Sequence, residues 1–321
     1  MSAKASAPLF SVVSPVYQAA ALLNELVARL EQELTALSPH YEIILVDDGS
    51  ADGSWVGIQQ HAARNPRIRG LRLSRNFGQH HALTAGLDLA RGQWVVVMDC
   101  DLQDRPEEIS RLYRKALEGY EVVLASREQR QDTWLKTRLS AAFYRVLSYL
   151  TDTRQDPRVA NFGLYHQRVI ATVRELRESI RYFPTMVGWV GFRQTTLPVQ
   201  HAPAGRPGTY SLRRRLRLAT DVMLAHSDKP LRLTAFLGLA LAGGAFLLGL
   251  LTLIRFWLGQ ITVPGYASLL ISISFFSGLI ILVLGIVGLY VGKTFEQVRR
   301  RPLYVVGATT WEPAPHENPV Q

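Results

Sequence analysis

Two hydrophobic patterns alternate along the first 125 or so residues. Short apolar runs, "LFSVVSPVY", "YEIILVDDGS", "IRGLRLSRN", "QWVVVMDC" and "YEVVLASR", have the length and β-branched content of buried strands. Between them, apolar residues recur at helical spacing. "LLNELVARLEQELTAL" carries Leu22, Leu23, Leu26, Leu30, Leu34 and Leu37 in this way, and "SWVGIQQHAARN", "GQHHALTAGLDLAR" and "PEEISRLYRKALEG" follow. The βαβα order predicts an α/β domain with a mostly parallel sheet and helices on both faces. The first run is too short and too interrupted by Pro15 for a signal peptide and reads as the first strand.

Beyond Arg130 the pattern loosens. "LSAAFYRVLSYL" puts Leu139, Ala142, Phe143, Val146, Leu147 and Leu150 on one helical face. "SLRRRLRLATDVMLAHS" gathers Leu212, Leu216, Ala219, Val222 and Met223, with Arg213, Arg214, Arg215 and Arg217 around the rest. Such a helix suits a bilayer surface, its apolar side in the headgroup boundary and its arginines on lipid phosphates; a solvated basic face on a domain helix is the alternative. Then come two uncharged runs, "LTAFLGLALAGGAFLLGLLTLI" between Arg232 and Arg255, and Leu269 to Val291. Each exceeds the ~20 apolar residues needed to cross a bilayer. Lys229, Arg232, Lys293 and Arg299 to Arg301 lie on their outer flanks, and the link "GQITVPGYAS" has no charge. The excess of basic residues on the flanks predicts that both face the cytoplasm, with the link outside. The expected organisation is a cytoplasmic α/β domain over residues 1–205, an interfacial helix at 206–230, membrane spans at 231–258 and 266–292, and a cytoplasmic tail at 293–321. The end of that tail, "ATTWEPAPHENPVQ", reads as loose.

Charge sharpens the choice of partner. The chain of 321 residues has a formal net charge of +10 and a single cysteine. The basic excess points to an anionic partner: nucleic acid, a phosphorylated ligand or lipid headgroups. One cysteine forms no internal disulfide, which fits a reducing compartment.

The polar clusters sit where the strands end: Pro15 and Tyr17, Asp47 and Asp48, Arg75 and Asn76, Asp99 and Asp101, Ser126 and Arg127. In open α/β sheets, ligands bind at the carboxyl ends of strands. Asp99 and Asp101 can share a hard divalent cation, Mg²⁺ or Mn²⁺, with Gln103 as a further oxygen. An acidic helix start accounts for Asp104, Glu107 and Glu108 but poorly for Asp99, which directly follows the apolar strand. Cys100 alternates away from its neighbours and is expected to be a packed thiol. His80 and His81 are adjacent and point different ways, so one of them is expected to pack or cap. No "GxxxxGK[ST]", no "GxGxxG" after the first strand and no "HExxH" occurs, which removes the corresponding phosphate, dinucleotide and zinc readings.

"SVVSPVY", "VDDGSADGS", "RNFGQHHALTAGLDLARG", "VVVMDCDLQDRPEEI", "VVLASREQRQDTWLK" and "VGWVGFRQ" resemble glycosyltransferase family 2, and within it the branch acting on polyprenyl phosphates. The resemblance runs from about residue 8 to 300. It implies a GT-A (Rossmann-like) fold and inverting transfer from a UDP- or GDP-linked sugar to undecaprenyl phosphate at the inner membrane, by a homo-oligomer, with no nucleic acid as partner. On this resemblance Pro15, Tyr17, Asp47, Asp48, Asn76, Asp99 and Gln103 would bind the nucleotide sugar. Asp99, Asp101 and Gln103 would hold the metal. Asp101, Arg127 and Lys136 would be catalytic, the last two beside the acceptor phosphate. Three departures stand out: "PVYQA" lacks the usual Asn-Glu, "ANFG" (Ala160 to Gly163) replaces the common "GDFR", and "GTYS" around Tyr210 replaces "SKY". A processive synthase would show a "QxxRW" motif and more spans. An inactive nucleotide-sugar-binding scaffold would fit the "ANFG" change.

Overall fold

A computed structural model describes residues 7–127, 159–178, 181–200, 229–258 and 265–311. They belong to two compact units, an α/β domain that takes back the chain from Arg301 onward, and a pair of long helices. The α/β domain begins with β1 (Phe10–Val16), α1 (Leu23–Leu37), β2 (Tyr41–Asp47), α2 (Ser54–Arg64), β3 (Ile68–Leu73), α3 (Gln79–Leu89) and β4 (Trp94–Val97). A short 3₁₀ turn leads into α4 (Ile109–Ala116), then β5 (Val122–Arg127), β6 (Val159–His166), α5 (Gln167–Glu175), α6 (Phe183–Val190) and β7 (Gln194–Val199). The second unit is α7 (Lys229–Trp257) and α8 (Tyr266–Val298); β8 (Val306–Thr309) returns to the first.

The strand order is β7-β5-β6-β4-β1-β2-β3-β8. β1, β2, β3 and β4 pair in parallel, and β5 pairs in parallel with β7. The sheet is nonetheless mixed: β6 lies antiparallel between β4 and β5, and β8 lies antiparallel against β3. Alternation along the central strands splits their side chains between two cores. Val12, Ile43 and Val96 join Leu26, Leu30 and Leu112 on one face, while Val13, Ile44 and Val97 join Ala82, Leu83 and Ile170 on the other. Each such apolar side chain contributes roughly 1.5–3 kcal/mol by burial, which fixes the strand ends on a rigid platform.

The expected loose tail is corrected in part. Residues 305–310 close the outer edge of β3, where Ser74 N donates to Val305 O at 2.8 Å and Thr310 N to Gly70 O at 3.0 Å. Gly70 N donates to Thr310 Oγ1 at 2.9 Å, Tyr304 OH to Asp88 Oδ2 at 2.8 Å, and the Arg69 guanidinium stacks on Trp311 at 4.3 Å. An open strand edge carries unpaired N–H and C=O groups, and this segment satisfies them. A four-residue strand is too short to show a period in sequence.

In the second unit, Leu231–Leu248 and Phe275–Val298 are long and apolar enough to cross a membrane, and neither window is buried within the structure. Core helices of a soluble domain bury such faces. α8 continues to Val298, past the expected end at 292. The expected interfacial helix, with Arg213, Arg214, Arg215 and Arg217, lies outside the described residues, as does Tyr210.

Candidate active site

β1 to β5 end at one edge of the sheet, and β6, running the other way, begins there. At this edge β1 and β4 part. Met98 N bonds to Val13 O and Asp48 N to Val16 O, so alternate residues of β1 face β4 and β2. Pro15 therefore faces the β4 side beyond the last pair, Val13 with Val97. A proline lacks the N–H a ladder needs and is tolerated where pairing has stopped. Tyr17 follows with 47% of its surface exposed, its ring available to a ligand.

The ends of β2 and β3 are locked together. Buried Asp47 accepts from Ser50 N at 3.0 Å and pairs with Arg72 Nε at 3.2 Å. Both oxygens of buried Asp48 are used by backbone groups, accepting from Phe77 N at 2.7 Å and Gly78 N at 2.9 Å. Burial raises the Asp48 pKa above the usual carboxylate range, against the lowering effect of those two N–H groups. Gly49 makes the close approach possible: it sits at φ +69°, and a Cβ there would lie 2.6 Å from Arg75 C and 2.7 Å from Asn76 N. Asn76 is exposed, next to Arg75, whose guanidinium covers the Phe77 ring at 4.3 Å. The Asp48 carboxylate, expected at the nucleotide, also holds the loop at residues 77–78.

The acidic cluster follows β4. Asp99 lies deep with a partly exposed face. Gln79 Nε2, in the first turn of α3, donates to its Oδ1 at 2.6 Å, and Asn161 Nδ2, near the start of β6, to its Oδ2 at 3.4 Å. Burial, then the nearby charges of Asp104 and Asp101, push the Asp99 pKa up to about 7. Asp101 accepts from Gln103 N at 3.1 Å and from Gln103 Nε2 at 2.7 Å. Gln103 thus turns its amide nitrogen, not its oxygen, to Asp101. Between them Leu102 adopts φ +59°, a left-handed conformation uncommon outside glycine and asparagine and found preferentially at functional sites. Asp104 belongs to this cluster more than to a helix cap: the cap position falls on Arg105, ahead of Pro106, and carries no side-chain capping bond. Cys100 packs against the apolar core, as expected, and burial pushes its thiol up to about 12, which keeps it protonated at neutral pH.

The donor set suits a hard divalent cation. Asp99 and Asp101 offer carboxylate oxygens, and their mutual repulsion is what a cation relieves. Among the described residues no group of three or more His, Cys, Asp or Glu side chains could hold a metal. An ion of the Mg²⁺ kind takes one or two carboxylates and completes its shell with water and ligand phosphates.

Arg127 closes β5 opposite Val199, at the same edge. Lys136 lies outside the described residues. His80 packs edge-on to Tyr182 at 5.0 Å between centroids, and burial pushes its pKa down to about 4, so it is the packing member of the histidine pair. Reading the sequence missed Gln79, whose only signal was a polar side chain directly after Gly78 at a helix start. It noted Asn161 as a departure and did not place it beside Asp99.

The glycosyl transferase family 2 model matches residues 11–173. The chain is 36% identical to "Uncharacterized glycosyltransferase YkcC" of Bacillus subtilis over 92% of this chain and 93% of that protein. It is 35% identical to an "Undecaprenyl-phosphate 4-deoxy-4-formamido-L-arabinose transferase" of Aeromonas hydrophila over 93% of each. Among solved structures it is similar to glucosyl-3-phosphoglycerate synthase from Mycobacterium tuberculosis in complex with Mn²⁺, UDP and phosphoglyceric acid, at 19% identity and a TM-score of 0.49, covering 69% of this chain and 78% of that one. With a sheet edge that gathers paired carboxylates beside an exposed tyrosine, and with relatives matched over nearly its full length, the chain belongs to glycosyl transferase family 2 and is a glycosyltransferase.

Proposed function

We propose that this glycosyltransferase moves a sugar from a UDP- or GDP-linked donor to a polyprenyl phosphate such as undecaprenyl phosphate, with inversion at the anomeric carbon. The observation that carries the reading is the Asp99–Asp101 pair at the strand ends, where crowded carboxylates suit a divalent cation bound together with a diphosphate. The relative from Aeromonas hydrophila supports the acceptor class, since its name specifies undecaprenyl phosphate. The apolar helices α7 and α8 support a membrane location, and their basic flanks support a cytoplasmic catalytic domain with both termini inside.

Asp99 and Asp101 would hold Mg²⁺ or Mn²⁺, and Gln103 would orient Asp101. When bound, such a cation neutralises charge developing on the departing nucleoside diphosphate. Tyr17 would line the nucleotide pocket, with Asp47 nearby. The acceptor phosphate is already anionic at neutral pH, so its oxygen attacks without a strong general base. Asn161 in place of a common acid is therefore compatible with turnover. Arg127 and Lys136 would hold that phosphate in line, converting an encounter into a positioned reaction.

The test is transfer of labelled sugar from a panel of UDP- and GDP-sugars to undecaprenyl phosphate in membranes, with and without EDTA. A lipid-linked product that EDTA abolishes is expected. Transfer to a water-soluble acceptor, and none to the lipid, would overturn the acceptor assignment.

A further inference from the structure

Asp99 is held by two amides from separate elements, and nothing in the family assignment requires either. Gln79 reaches Oδ1 at 2.6 Å from α3, and Asn161 reaches Oδ2 at 3.4 Å from β6. We infer that Gln79, seconded by Asn161, is a positioning residue that fixes the plane of the Asp99 carboxylate for a divalent cation. The inference rests on the reading of Asp99 as a metal ligand.

The chemistry of the amides carries it. An ionised carboxylate has about four lone-pair positions on two oxygens. One donor on each oxygen leaves capacity on both, and Asp99 keeps a partly exposed face. A lysine or arginine in the same place would also orient the carboxylate, but its charge would oppose a cation. A carboxylate would add charge and offer no hydrogen to donate. A neutral amide orients the ligand and leaves its charge intact. The two anchor points also differ in origin, so rotation about the Asp99 side chain is restrained from two directions. Gln79 is itself located, because the preceding Gly78 N–H is bound by Asp48 Oδ2 at 2.9 Å. Asp48 thus acts on Asp99 through the backbone next to Gln79, which gives this second acid a part at the metal end of the site. The shorter bond makes Gln79 the principal donor and Asn161 the lesser one.

Outer partners of metal ligands characteristically change metal affinity by 10–100-fold when removed. The experiment uses the full-length protein in detergent or nanodiscs and titrates Mn²⁺ by electron paramagnetic resonance in the presence of UDP, and separately GDP. Gln79→Ala and the similarly shaped Gln79→Met are expected to weaken Mn²⁺ binding at least tenfold, with an unchanged melting temperature. Turnover at saturating Mn²⁺ should recover to within a few-fold of the parent. Gln79→Glu, which keeps the length and loses the donor, should not rescue, and Asn161→Ala should weaken binding by about two- to fivefold. Parent-like Mn²⁺ affinity in both Gln79→Ala and Gln79→Met would overturn the inference, as would tighter binding in Gln79→Glu. A lowered melting temperature with a loss of turnover that Mn²⁺ does not restore would assign Gln79 to folding instead and also overturn it. Asp99→Asn separates the two layers: if it binds Mn²⁺ as the parent does, the metal-ligand reading fails, whatever the Gln79 variants show.

Discussion

Replacing Gly49 with alanine adds one methyl group at the tightest approach between the β2 and β3 loops. Two costs arise. A left-handed backbone costs a non-glycine residue about 1–2 kcal/mol, and Gly49 sits at φ +69°. The new Cβ would also stand 2.6 Å from Arg75 C, well inside the 3.4 Å at which ordinary contact begins. The obstructing atoms are backbone and cannot rotate away, so the loop must retreat by nearly an ångström. The bonds from Phe77 N and Gly78 N to Asp48, now 2.7 and 2.9 Å, would then stretch past the ~3.2 Å limit of a sound hydrogen bond. Losing one such bond to a charged group costs about 1.5–3 kcal/mol. Gly53 is the matched control: it has φ +83° with nothing within 4 Å of its would-be Cβ, so alanine there meets the backbone cost alone. In urea melts, Gly49→Ala should lose about 2 kcal/mol more stability than Gly53→Ala. Because a displacement of about 1 Å near reacting groups can cost roughly 100-fold, kcat/KM for the nucleotide sugar should fall by that order in Gly49→Ala and stay within a few-fold in Gly53→Ala. Equal losses in the two variants, in stability and in kcat/KM, would refute the close-approach argument.

Asp101→Asn should lower sugar transfer by more than about 100-fold, the scale of removing a group that stabilises developing charge; full turnover in this variant would remove Asp101 from the metal site. Without metal, Asp99 binds its proton more tightly in the folded chain, with a pKa of about 7 against 3.8. Its contribution to stability is thus present below about pH 4 and is lost as pH rises to about 7. A cation must displace that proton, so Mn²⁺ affinity measured by titration should fall as pH drops below about 7 and be level above it. Thr310→Val keeps the side-chain shape but strands the Gly70 N–H now bonded to Thr310 Oγ1 at 2.9 Å. It should cost about 1–3 kcal/mol in a denaturant melt, and an unchanged midpoint would mean that the strand beside β3 contributes nothing there.

Strands covered on both faces are easy to read, and Val95 to Val97 or Ile43 to Val46 announce themselves as continuous apolar runs. The acids after them were legible for the same reason, since charge beside a buried run needs an explanation. The direction of β1 to β4 was legible too, since their βαβα order implies the parallel pairing observed. That of β6 was not: Val159–His166 lies where the pattern has loosened, and only tertiary contact shows that it is a strand running antiparallel between β4 and β5. The hold of Asp48 on the loop at residues 77–78 was hidden in the same way, since the N–H groups it binds lie 29 and 30 residues further along the chain. The partners of Asp99 come from positions 20 and 62 residues distant along the chain, and no local pattern joins them.

The closure of the sheet by β8 also sets an order of events in the making of the protein. Gly70 and Thr310, which bond to each other, are 240 residues apart. At a synthesis rate of about 5–20 residues per second, the edge of β3 waits roughly 10–50 s for its neighbour. During that interval the nascent domain exposes a bare strand edge, an invitation to pair wrongly. By the time it is covered, the ribosome has already made both apolar helices. The enzyme's sheet is therefore complete only in chains translated past Thr310, and a product that stops before β8 keeps an open strand edge.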